Sequence, residues 1–118
     1  MHRRIWWLML VIGAVGCVQT LPVLQDSAGL DGPFRGRWWS FYQRGAMHVA
    51  RENYAAAEAD FQRALIGRSA DAWSARTYGL HFVEYFPNRE LGVVYYHTDR
   101  LDEAEGLLSR SLEHVDTA

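Results

Sequence analysis

Residues 38–65 read WWSFYQRGAMHVARENYAAAEADFQRAL, and a weaker echo of them runs from Tyr85 to Leu112. Every matching place is separated by the same interval: Gly45 stands with Gly92, His48 with Tyr95, Tyr54 with Leu101, Ala57 with Ala104, Glu58 with Glu105, Phe61 with Leu108 and Leu65 with Leu112. A constant offset marks an internal repeat. Within the first copy, Trp38, Phe41, Gly45, His48 and Val49 recur at three- and four-residue spacing, which predicts a helix from Trp38 to about Glu52. Asn53 and Tyr54 interrupt it. A second helix is expected from Ala55 to Leu65, with Ala57, Phe61, Ala64 and Leu65 turned inward and alanine-rich composition in its favour. Gly67 is expected to end it in the left-handed conformation that suits glycine.

This stretch resembles a tetratricopeptide repeat, whose pattern is W-x2-L-G-x2-Y followed after eight residues by A-x3-F-x2-A. The first copy reads Phe41-x2-Arg44-Gly45-x2-His48-x8-Ala57-x3-Phe61-x2-Ala64, with Arg44 in a slot that is usually apolar. The second reads Asn88-x2-Leu91-Gly92-x2-Tyr95-x8-Ala104-x3-Leu108-x2-Ser111, with Asn88 and Ser111 as its departures. The resemblance implies an all-α fold of two antiparallel helix pairs, over about 38–68 and 85–117. Gly45 and Ala57 would let the paired backbones approach, while Phe41, His48 and Phe61 fill the space around them. Pro87 suits the first turn of the second pair, where its missing donor costs nothing. Asp99 is the expected N-cap of the helix that follows it.

The interval between copies is 47 residues, against roughly 34 for the family, so an insert of about 69–84 separates them. Ser69 to Tyr78 is expected to form an extra helix carrying Trp73, with Thr77 or Tyr78. Leu80 to Phe86 reads equally as a helix end or an extended strand. Roughly three repeats are normally needed for a stable stack. Two copies therefore require the insert and the aromatic tether, a partner, a second copy of the chain or further sequence to complete the core.

The N-terminus, MHRRIWWLMLVIGAVGCVQT, places a basic start before an apolar run from Ile5 to Val15, then small residues. That is the layout of a secretory signal, and the run is shorter than the roughly 20 residues a spanning helix needs. Ala14-Val15-Gly16-Cys17 resembles a bacterial lipobox. The resemblance implies removal of residues 1–16, acylation of the Cys17 thiol with palmitate-type chains, and a lipid-anchored tether over 17–37. An ordinary cleaved signal peptide and an uncleaved anchor remain the alternatives. Val18 is not the Asp that retains such lipoproteins at the inner membrane, which implies the outer membrane facing the periplasm. Pro22 and Pro33, with Gly29, Gly32 and Gly36, make the tether irregular, and its Pro33-Phe34 end is placed to fold back on the first helix.

The 118-residue length bounds the chain to one small domain, and a formal net charge of −2 makes no case for nucleic acid. All cations are arginines, scattered rather than clustered into a phosphate site. No catalytic residue, cofactor or metal site is read from the sequence: no stretch joins a nucleophile to a base, cradles a phosphate or spaces paired metal ligands. His81-x2-Glu84 would bring a His and a carboxylate together on a helix, a pair more often structural than metal-binding.

Binding is the function class that remains. A repeat stack cups a face lined by the first helix of each pair. Helical phase turns Trp39, Tyr42, Ala46 and Val49 of the first copy, and Arg89, Val93, Tyr96 and His97 of the second, towards that face. Trp39, Tyr42, Arg89, Tyr96 and His97 are the candidate partner-binding residues, since Trp, Tyr and Arg dominate interface hot spots. The same aromatics could equally pack against the insert or tether. The sequence thus reads as a non-enzymatic adaptor for a protein, peptide or partner helix. A subunit or fragment of a larger enzyme or signalling protein, and a self-associating structural lipoprotein, are the alternatives.

Overall fold

Two helical periods dictate two helix pairs, and the chain folds into them with a β-hairpin between the pairs where an extra helix is expected. The computed structural model describes residues 34–116. It contains α1 (Trp38–Ala50), α2 (Tyr54–Gly67), β1 (Ala72–Tyr78), β2 (His81–Tyr85), α3 (Pro87–His97) and α4 (Leu101–Asp116). The architecture is mostly helical with one two-stranded antiparallel sheet. Cys17, the expected signal segment and nearly all of the tether lie outside the described residues. Among the described residues no helix is long and apolar enough to cross a membrane.

The repeat survives at the level of backbone geometry. Glu52 and Asp99, 47 residues apart, both adopt left-handed backbone, with φ of 57° and 61°. The amide of Asn53 donates to His48 O at 2.9 Å, and the amide of Arg100 donates to Tyr95 O at 2.9 Å. One turn design thus closes both helix pairs. It corrects the expected capping by Asp99: the residue supplies the reversal, and Arg100, one place later, accepts the first amide of α4, from Ala104. An aspartate tolerates the left-handed region better than most residues.

Glycine does the same work in both pairs. A Cβ on Gly45 would stand 2.7 Å from the Phe61 ring, and one on Gly92 would stand 2.8 Å from the Leu108 side chain. Gly67 corrects another expectation, because it is the last residue of α2 and its φ is not positive. It is small because Trp38 Cβ lies 2.7 Å from where its own Cβ would be.

The insert is the principal departure from the expected all-α fold. Ser69 to Tyr78 is not an extra helix: residues 72–78 pair antiparallel with residues 81–85, with Ala72 opposite Tyr85, Ala75 opposite Val83 and Tyr78 opposite His81. Gly79 turns the chain with φ of 54°. Ala75 and Tyr85 are buried, while Trp73, Tyr78 and Phe82 are exposed. The hairpin therefore contributes a small residue and one large aromatic to the core.

Two clusters make that core. The first joins Ala57 and Phe61 of α2 to Leu91, Val94 and Tyr95 of α3 and Ala104 of α4, with Tyr42, Val49, Tyr54 and Leu65 packed against it. The second gathers Ala64, Ala75 and Tyr85, with Trp38, Phe41 and Tyr42 around them. At the start of α1, Phe34 meets Phe41 edge-on at 5.2 Å and lies under the Arg44 guanidinium at 4.2 Å. The hairpin thus adds Ala75 and Tyr85 to the core, and Phe34 packs at the start of α1.

Candidate functional site

Arg44, the odd residue of the first repeat, forms a forked ion pair with Asp60 across α1 and α2, at 2.7 and 2.8 Å. His48 Nε2 stands 3.5 Å from the same carboxylate. All three side chains are largely buried. At the offset of 47 the counterparts of Arg44 and Asp60 are Leu91 and Leu107, so one position holds a buried charge pair in one copy and an apolar pair in the other.

The seam between the pairs has a polar edge and an aromatic plug. Arg100 reaches back from the α3–α4 turn to the Glu58 carboxylate, and its guanidinium lies 4.0 Å over the Tyr95 ring. That hydrogen bond holds the Glu58 carboxyl below its ordinary range. Gln62 Nε2 donates to the Tyr95 hydroxyl at 3.2 Å. The plug is Tyr85, fully buried, with ring centroids 4.5 Å from Trp38 and 5.0 Å from Tyr42. Its hydroxyl lies 2.9 Å from Ala64 O and 2.6 Å from Arg68 O. Burial pushes the phenols of Tyr85 and Tyr42 above the ordinary tyrosine value.

Asp71, between α2 and the hairpin, caps α3 from outside. Its carboxylate accepts from the amides of Asn88 and Arg89 and from Asn88 Nδ2, at 3.0, 3.3 and 2.8 Å. The Asp71 amide in turn donates to His114 Nδ1 at 3.2 Å. Such a distant cap carries no local sequence signal. His81 and Glu84 are on a strand rather than a helix, and the His81 ring stacks on Tyr78 and lies 2.8 Å from Thr77 Oγ1. No group of three or more His, Cys, Asp or Glu side chains among the described residues is arranged to hold a metal.

The five candidate binding residues divide. Tyr42 is turned into both core clusters, and its hydroxyl accepts from the Phe86 amide at 3.3 Å. Trp39 is half-buried near Tyr78 of the hairpin. His97 stacks on Tyr54, with ring centroids 4.9 Å apart. Arg89 is exposed beside Glu90, with its guanidinium 4.3 Å over the Phe86 ring. Tyr96 is 62 % exposed. Tyr42 and Trp39 are thus not brought together with the other three on one open groove.

A different surface emerges at the α3–α4 end. A cavity of about 400 Å³ opens between Trp73 and Phe86 on one side and Leu108, Leu112 and Val115 on the other, with Arg89 and Ser111 at its wall. On the same helix pair Tyr96 and Leu101 are 62 % and 57 % exposed, and Leu112 on the cavity wall is 67 % exposed. Their counterparts Val49, Tyr54 and Leu65 are packed against the core where α3 docks on the first pair. The repeat offset held the signal for this surface, since it pairs each covered residue with an uncovered one.

Comparison with protein-family models, with curated proteins and with solved structures finds no match to this chain.

Proposed function

We propose that the chain is a non-enzymatic adaptor, a short tetratricopeptide-like helix stack that binds a partner helix and is held at a bacterial envelope membrane through a lipid on Cys17. The supporting observation is the exposure of Tyr96, Leu101 and Leu112, set against the coverage of Val49, Tyr54 and Leu65 by the second helix pair. Large apolar side chains left exposed on a helix pair that also carries an apolar cavity are a feature of protein-binding sites. The docking surface is the open end of the second pair, with Arg89 and Tyr96 as its members from the sequence-predicted set. The lipobox-like stretch supports the envelope address.

Site-specific photo-crosslinking in intact bacteria tests the reading. A crosslinker at position 96 or 112 should yield one discrete adduct with another envelope protein, while one at Ile66, which is 87 % exposed on α2, should not. Adducts only between copies of the chain would favour the self-associating alternative. Metabolic palmitate labelling that persists in Cys17→Ser would remove the anchor from the proposal.

A further inference from the structure

The cavity has a filled counterpart inside the same molecule. Tyr85 sits among Tyr42, Ala64 and Arg68 in the first pair. Their counterparts, 47 residues on, are Arg89, Ser111 and Val115, and all three line the cavity. Leu108 and Leu112, also on its wall, are the counterparts of Phe61 and Leu65. The empty space is therefore the second pair's equivalent of the Tyr85 seat. The Val115 carbonyl lies in the last turn of α4, where carbonyls have no intrahelical donor, and it is the counterpart of the Arg68 carbonyl beside the Tyr85 hydroxyl.

The residues after Tyr85 complete the pattern of the missing occupant. Leu91, Val94 and Tyr95 pack on the first pair, and Arg100 closes the seam on Glu58. The counterpart of Glu58 is Glu105, which is exposed on α4. We infer that the open end of the second pair binds, on another protein, an amphipathic helix entered through a tyrosine. In that partner the aromatic fills the cavity, apolar residues six, nine and ten places later cover Tyr96, Leu101 and Leu112, and an arginine fifteen places later meets Glu105. This rests on the proposed helix docking and names the chemistry of its partner.

A second copy of this chain is a poor occupant. The residues that would be offered in place of Tyr85, Leu91 and Val94 are Trp38, Arg44 and Met47. Trp38 is packed on Tyr85 and Gly67 of its own chain, and Arg44 is held by Asp60. A folded second copy thus offers neither a free aromatic anchor nor an apolar ridge at these positions.

The probe is a fluorescein-labelled peptide of residues 85–101, YFPNRELGVVYYHTDRL, titrated by fluorescence anisotropy into the full chain. Saturable binding is expected, weakened at least tenfold by Leu112→Glu in the protein, a site exposed enough to leave the fold intact by circular dichroism. Replacing the peptide's leading tyrosine by alanine should weaken binding at least tenfold, and by phenylalanine about threefold. Glu105→Arg should weaken it several-fold, with recovery when the second of the peptide's two arginines, the one from position 100, is changed to glutamate. Equal binding of the tyrosine and alanine peptides would overturn the aromatic seat while leaving helix docking in place. Absence of saturable binding, or binding indifferent to Leu112→Glu, would overturn the inference, and crosslinking at position 112 then judges the docking reading by itself.

Discussion

The two helix pairs share one backbone design and solve opposite problems with it. In the first, the close approach at Gly45 is packed by the fully buried Phe61, and the α1–α2 contact carries a buried Arg44–Asp60 pair. In the second, Gly92 meets the half-buried Leu108, and the corresponding positions hold Leu91 in the core and Leu107 packed against it. The first pair is covered by α3 and plugged by Tyr85; the second offers the same positions open. Burial, more than sequence similarity, distinguishes them: a residue type repeated at the offset has a structural role in one copy and an exposed face in the other.

The largest effect is expected at the charge pair. Asp60→Ala leaves Arg44 largely buried without its carboxylate and should cost about 3–5 kcal/mol in denaturant unfolding. Arg44→Leu combined with Asp60→Leu, which copies the second pair, should recover to within about 1 kcal/mol of the original stability. If the double change is as damaging as the single one, the two contacts are not interchangeable and the comparison breaks.

The glycines come next. Gly45→Ala forces a methyl against a ring that has no room to move and should cost about 1–3 kcal/mol. Gly92→Ala should cost clearly less, because the Leu108 side chain can rotate into the adjacent cavity. Equal losses in thermal unfolding would mean that the second contact is as closed as the first.

Tyr85→Phe removes the hydroxyl that bridges the end of α2 and should cost about 1–2 kcal/mol. It should also change the alkaline limb. The raised Tyr85 value means that stability is fully present below the ordinary tyrosine value of 10.0 and is lost as pH rises beyond it through the folded-state value. The phenylalanine variant should lose less stability over that range, read as a flatter plot of unfolding midpoint against pH.

The smallest effect is at the seam. The Glu58 carboxyl is held low by Arg100, so its contribution is present above the ordinary value of 4.5 and fades as pH falls through the lowered one. Glu58→Gln should lose that contribution at neutral pH, a small loss because the pair is partly exposed, and should flatten the acid limb, so that the variant and the original converge as pH falls. An acid limb in Glu58→Gln as steep as in the original chain would show that this pair does not hold the seam.

Much of the helical frame was legible. A constant offset located both pairs, and the structure places helices at 38–50, 54–67, 87–97 and 101–116. The hairpin was not, because Ala70, Ala72 and Ala75 favour helix locally while the pairing that makes a strand is with residues beyond Gly79. Asp71 capping α3 and Asp60 accepting Arg44 are likewise contacts between distant residues, which periodicity within one helix does not reveal. The candidate binding face was read from helical phase alone. Phase places Tyr42 correctly on α1, but does not tell that the hairpin brings Tyr85 and Phe86 against it. The open end is marked by the contrast between the covered Val49, Tyr54 and Leu65 and their exposed counterparts, which local periodicity does not carry.

Thiol labelling at two counterpart positions tests the open-end account most directly. Leu65→Cys and Leu112→Cys, each with Cys17→Ser, would be labelled as purified proteins; the envelope comparison would use Cys17-containing chains, with Leu112→Cys corrected for the label taken up by Cys17. The account predicts that position 112 reacts at least about tenfold faster than position 65 in the purified chain, where only 65 needs local opening, and that position 112 becomes protected in the envelope. Equal rates in the purified protein, or a position 112 as reactive in the envelope as in solution, would contradict it.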